Sequence, residues 1–217
     1  MVSIDVVGNF SDSAIEGGGG ISYAGDKVVS VGETAAIESS RIRNNAAKGQ
    51  GGGVDSRGDG PLIVTTTSIT GNTAAIGGAI HHVGDAPLDV SRSTLSGNAA
   101  ENGGGLFTDG DGETTVANST VSGNRAAQFG GGLLVSSRLT LRSSTVSANV
   151  APSGGGVNNG GGDLVGDGAV FLANTIVSGN TAMIQGRFTS GIGGGIHGRR
   201  MSVVDCTIDG NSGVTGG

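Results

Sequence analysis

The sequence predicts an all-β fold, a parallel β-helix solenoid of about eight coils of roughly 26 residues each. Three observations predict it. An asparagine recurs at Asn9, Asn45, Asn72, Asn98, Asn124, Asn149, Asn180 and Asn211, with gaps of 36, 27, 26, 26, 25, 31 and 31 residues. Aliphatic residues precede each asparagine in steps of two, which is the period of a strand. Glycine-rich segments follow each asparagine, drawing on 46 glycines in 217 residues. A period in the twenties marks a solenoid, where each unit buries its apolar side only against its neighbours.

Each coil opens with a strand. Ten residues before the asparagine stands Ala35, Leu62, Leu88, Thr114, Leu139, Val170 or Met201. Eight before it stands Ile37, Val64, Val90, Val116, Leu141, Leu172 or Val203. A small residue comes five before: Ser40, Thr67, Ser93, Ser119, Ser144, Thr175 or Cys206. An aliphatic comes three before: Val6, Ile42, Ile69, Leu95, Val121, Val146, Val177 or Ile208. These residues fit two short strands with a bend between them.

A corner comes next. The residue before the asparagine is glycine at Gly8, Gly71, Gly97, Gly123, Gly179 and Gly210, as a left-handed backbone would select. Asn44 is the next best tolerated type there, and Ala148 breaks the rule. Further glycines lead into a third aliphatic strand at Ile21, Val54, Ile80, Leu106, Leu133, Val157 and Ile196. Three strands per coil, stacked about 4.8 Å apart, would make a rod roughly 35–40 Å long. Asn45, Asn72, Asn98, Asn124, Asn149, Asn180 and Asn211 are then expected to stack inside one corner. Buried amides are tolerable there only if each is hydrogen-bonded. A leucine-rich repeat has a similar period, but it needs several leucines per unit and usually a helix, and this chain has no helical periodicity.

Gly77-Gly78-Ala79-Ile80, with the aliphatic-x-Gly-Asn run before it, resembles the repeats of chlamydial polymorphic outer-membrane proteins. It is also similar to the repeat regions of many bacterial surface proteins of right-handed parallel β-helix type. The resemblance covers nearly the whole chain. Where the chlamydial repeat has phenylalanine three places before the asparagine, this chain has Ile, Leu or Val. The resemblance implies a right-handed coil, an extracellular or cell-surface location and an adhesive role. The hand also agrees with the usual hand of parallel crossovers.

Composition narrows the function. The net charge of −6, with no cluster of Lys and Arg along the sequence, argues against nucleic acid and anionic membrane surfaces as partners. No apolar run approaches a membrane span of about 18 residues, and the first residues do not read as a signal peptide. Only 3% of residues are aromatic, which a narrow coil filled by small aliphatics accommodates. The single cysteine, Cys206, occupies an inward serine position and is expected to be a buried, inert thiol. The whole chain, 1–217, reads as one β-helix domain, and both ends fall in mid-repeat. A fragment of a longer repeat protein, or a unit that stacks end to end, is expected from that.

Two insertions and one loop interrupt the repeat. Residues 22–34 hold Tyr23 and the apolar run Val28-Val29-Ser30-Val31. The loop of residues 158–168 carries Asp163 and Asp167, and the insertion of residues 183–192 carries Arg187 and Phe188.

Candidate chemistry is sparse. Asp109, Asp111 and Glu113, with Asp85 one coil away, resemble a calcium loop in miniature, because hard cations take several oxygen ligands. Calcium is the one cofactor expected on this reading, and solvated turns are the alternative. His81 and His197 share a repeat position four coils apart, too far to share a metal, and His82 should face the other way. Surface positions are expected for all three. Polysaccharide cleavage needs paired carboxylates, or a base with calcium and a cation. Arg41 and Arg43 lie outward on one strand and Arg199 and Arg200 far along the rod, without such a constellation. Thr94, Ser96, Thr120, Ser122, Thr145 and Ser147 point outward from successive coils, similar to the Thr-x-Thr faces of ice-binding β-helices, with Ile176 interrupting. Arg57-Gly58-Asp59 is a three-residue match to an integrin tripeptide, common by chance in so glycine-rich a chain. The expected function is a non-catalytic structural or adhesive rod. Its expected partners are a host surface protein, a glycan or another copy. A polysaccharide lyase, hydrolase or epimerase is the first alternative and ice binding the second.

Overall fold

Strands in this chain lie side by side with their own repeats. The computed structural model describes residues 5–12, 18–24, 34–58, 60–159, 168–183 and 192–214. Among them there is no helix, and every strand pair is parallel. The structure is a parallel β-solenoid.

One coil shows the path. Leu88–Ser91 belongs to a first ladder of seven strands, Thr94–Ser96 to a second of eight, and Leu106–Asp109 to a fourth of seven. Between the last two runs a third, shorter ladder, which includes Ala99–Asn102 and Arg125–Phe129. The sequence shows only a small residue there, so this ladder was not expected as a strand. Register is unbroken along the second ladder from Val6 through Ile42, Ile69, Leu95, Val121, Val146 and Val177 to Ile208.

The alternation puts the expected aliphatics inside. Leu62, Val64, Leu88, Val90, Leu95, Leu106, Val121, Leu139, Leu141 and Val146 are buried in one continuous core. Each contributes roughly 1.5–3 kcal/mol relative to exposure. Thr114, at an aliphatic position, is also buried and donates its hydroxyl to that of Thr108 at 3.3 Å. Cys206 was expected to be buried but is half-buried, because no coil of the described residues stacks beyond its own. Val203 and Ile208 of that coil are uncovered for the same reason.

The coil turns at single left-handed residues. The corner before the asparagine has φ between 54° and 67° at Gly8, Asn44, Gly71, Gly97, Gly123, Ala148, Gly179 and Gly210. A second corner, unmarked by glycine, has φ between 47° and 52° at Ser39, Thr66, Arg92, Asn118, Ser143, Asn174 and Asp205. Such a backbone costs a non-glycine residue about 1–2 kcal/mol. An inward hydroxyl holds it in place: Ser93 Oγ donates to the Ser91 carbonyl at 2.8 Å, across the left-handed Arg92. Ser40, Thr67, Ser119, Ser144 and Thr175 make the same bond in their coils. The third corner uses glycine runs for two reasons. Gly77 has φ of 65°, and a Cβ on Gly104 would lie 2.5 Å from the backbone oxygens of Arg125 and Gly131 in the next coil.

The apolar run Val28 to Val31, Asp59, the Asp163 and Asp167 loop, and Arg187 with Phe188 lie outside the described residues. No helix among the described residues is long and apolar enough to cross a membrane.

Candidate functional site

The expected asparagine column is present. The Asn98 Nδ2 donates to Asn124 Oδ1 at 3.0 Å and to the Ile69 carbonyl of the preceding coil at 3.0 Å. Asn98 Oδ1 accepts from the backbone N–H of Asn72 at 2.9 Å and from its Nδ2 at 3.0 Å. The same pattern runs through Asn45, Asn72, Asn124, Asn149 and Asn180 to Asn211. Both polar atoms of each interior amide are thus satisfied, as burial requires.

The histidines are not where the sequence suggested. His81 is 3% exposed and His82 2%. The surface expectation fails because the glycine corner turns the chain back over the outer face of the fourth ladder. A Cβ on Gly77 would lie 2.8 Å from that of His81. His81 Nδ1 lies 2.7 Å from Asp55 Oδ1 in the adjacent coil, and its ring stacks on Phe107 at 5.3 Å. Arg57 bridges to Asp55 Oδ2 at 3.1 Å and donates to Gln50. Burial pushes the Asp55 carboxyl up, but the His81 and Arg57 bonds and charges outweigh it and leave its pKa below the ordinary value. His82 does face the other way. Its Nε2 donates to the Ala86 carbonyl at 3.1 Å and its Nδ1 accepts from Ser56 Oγ at 3.2 Å. Burial pushes the His82 pKa down, against the Ala86 bond and with the neighbouring His81 charge. His197 lies four strands from His81 in the same register row and is half-buried, 3.1 Å from Ser153 Oγ. Burial, then the Arg199 charge, lowers its pKa. An aspartate–histidine pair can serve as a general base. This one is closed to any polymer, since Asp55 is only 2% exposed.

The four acids expected to share calcium do not meet at one point. Asp85 Oδ1 accepts the Asp111 N–H at 3.2 Å, and Asp109 Oδ1 accepts the Gly110 N–H at 3.0 Å. Glu113 accepts the Thr140 hydroxyl at 2.8 Å and lies 3.7 Å from Arg138. Among the described residues, no three His, Cys, Asp or Glu side chains form a metal-holding group. The outward hydroxyls of the second ladder align as expected from Thr94 to Ser147, but they are half-buried, and Ile176 at 45% exposure breaks the row.

Two grooves open at the unmarked left-handed corner. One, of about 240 Å³, is lined by Ser39, Ser40, Arg41, Thr66, Thr67, Ser68, Arg92 and Thr94. The other, of about 580 Å³, includes Glu113, Arg138, Thr140, Arg142, Ser143, Phe171 and Asn174. The Arg138 guanidinium lies 4.5 Å over the Phe171 ring, an arrangement that fixes its position. Sequence reasoning passed over Arg92, Arg138 and Arg142 because they stand at different repeat positions. Two of them carried a signal in proximity to the position six before each asparagine, the left-handed corner: Arg92 stands there and Arg142 one before it, while Arg138 stands eleven before its asparagine. No family model matches the chain, and neither a curated protein nor a solved structure matches it.

Proposed function

We propose that this chain is a non-catalytic rod of a bacterial extracellular or cell-surface β-helix, with a structural or adhesive role. The observation that carries the reading is the satisfied asparagine column inside an unbroken register, which stiffens every coil alike. The repeat's resemblance to surface β-helices supports the location and a right-handed coil. Expected partners are a host surface protein or a glycan, with end-to-end contact between copies. The reading also fits the placement of the acid–base groups. The Asp55–His81 pair is buried, and the groove at Phe171 has a single lining carboxylate, where glycoside hydrolysis uses two.

The alternative, a polysaccharide lyase, hydrolase or epimerase, has one observation in its favour. Glu113, Arg138 and Arg142 share a groove, so a carboxylate and two cations face the same space. Incubation with neutral and acidic polysaccharides, with calcium or with chelator, separates the two. Retention without products is expected for the rod. New reducing ends or unsaturated products would replace it with the enzyme.

A further inference from the structure

The left-handed corner at Ser39, Thr66, Arg92, Asn118, Ser143, Asn174 and Asp205 forms one edge of the rod, and both grooves lie on it. Among their charged lining residues, four are arginines and one is an acid. That acid, Glu113, is already engaged by Thr140 and Arg138. The two grooves of a chain of net charge −6 are therefore locally cationic, with the acids Glu38 and Asp205 standing on the same corner outside them. Arg41 on the second ladder, Arg92 at the bend and Arg142 at the end of the first ladder differ in position around the coil but are evenly spaced along the axis. Arg41, Arg92 and Arg142 belong to the coils of Ser40, Ser93 and Ser144, and the register of Arg41, Ser68, Thr94, Thr120 and Thr145 sets those coils two apart. At about 4.8 Å per coil, the positive charges recur roughly every 10 Å over about 19 Å. All three are exposed, and none forms a direct ion pair among the described residues, while Arg41 is the register partner of Asp5 and its charge acts on that carboxylate.

On the rod reading above, which this inference rests on and sharpens, we propose that the edge binds a linear acidic polysaccharide along the rod axis, one carrying a carboxylate on alternate sugars. A pyranose in an extended chain advances by nearly one coil, so a disaccharide matches two coils and each carboxylate meets one arginine. The planar guanidinium takes a carboxylate through two parallel N–H bonds. Hydroxyls of Ser39, Thr66, Ser68 and Thr94 flank the first two arginines and supply partners for sugar hydroxyls. Phe171, under Arg138, offers the apolar side of the second groove.

The test is binding of unsulfated hyaluronan oligosaccharides, one uronate per disaccharide, beside polygalacturonate, dextran sulfate and neutral dextran. The expected order is hyaluronan first and neutral dextran last, with affinity falling as salt is raised. The triple variant Arg41→Gln/Arg92→Gln/Arg142→Gln is expected to lose affinity by about tenfold or more and to melt like the parent. The control Asp85→Asn/Asp111→Asn is expected to bind like the parent. Unchanged binding by the triple variant, or equal retention of neutral dextran, overturns the edge assignment and leaves the adhesive rod standing. Preference for dextran sulfate overturns the carboxylate assignment. Retention of none of the polymers overturns both the edge and the glycan-binding form of the rod reading.

Discussion

The two left-handed corners of each coil solve the same bend in different ways. At the asparagine corner, glycine takes the left-handed position in six of eight coils, and an inward amide bonds to its own copies above and below. At the other corner, the left-handed residue is Ser, Thr, Arg, Asn or Asp, and an inward hydroxyl bonds back across the bend. The first corner fixes its backbone by residue type and its interior by a shared column. The second fixes its backbone by a local side-chain bond, so its outward residue is free to vary. Stiffness is concentrated at one edge and surface chemistry at the other.

Replacing Asn98 by Ala strikes the asparagine corner hardest. It leaves the Asn72 N–H without an acceptor, takes one of the two acceptors of Asn72 Nδ2 and removes a donor from Asn124 Oδ1, all in a buried column. A loss of about 3 kcal/mol or more in urea unfolding is expected. A loss below that of the next variant would break the comparison. Ser93→Ala removes the acceptor of the Thr67 N–H at 3.0 Å and the bond across Arg92. About 1–2 kcal/mol is expected in the same assay. Ala148→Gly relaxes the one alanine at a left-handed corner and should stabilise by about 1 kcal/mol, read as a higher melting temperature.

The smallest effect at neutral pH belongs to neither corner, since amides and hydroxyls do not titrate. His82 and His197 have lowered pKa values, so an unfolded chain takes up protons as pH falls through about 6.5 while the folded chain refuses them. Stability should therefore decline from that point downward. The Asp55 pKa is lowered too, so its contribution is present above about 3.9 and is lost as pH falls through its folded value. Melting curves from pH 8 to 2 check this. His82→Gln should flatten the upper part of the decline and leave the lower part in place.

The asparagine corner was legible because burial of an amide restricts residue type, and the same solution then repeats at every coil. The core was legible for the same reason, since Leu88, Val90 and Leu95 alternate in steps that only a strand explains. The second corner was hidden because its constraint sits on the neighbour, Ser93, rather than on Arg92 itself. The roof over the fourth ladder was hidden because alternation predicts direction and not cover. His81 does point outward, and the chain at Gly77 packs against it. The cationic edge was hidden because Arg41, Arg92 and Arg142 are brought together only by coil stacking. At the acidic corner Asp109, Asp111 and Glu113 are close in sequence, yet the Asp109 and Glu113 carboxylates accept from separate partners, which sequence proximity does not foretell.

The asparagine column also has a direction. In all seven successive links, from Asn9 to Asn211, the amide nitrogen of one coil donates to the amide oxygen of the next. None runs the other way. Amide dipoles aligned head to tail add and polarise one another, as peptide dipoles do in a helix. The rod is therefore an electret on the scale of a single molecule: its interior carries a polarity along the long axis that surface charges can mask but not remove.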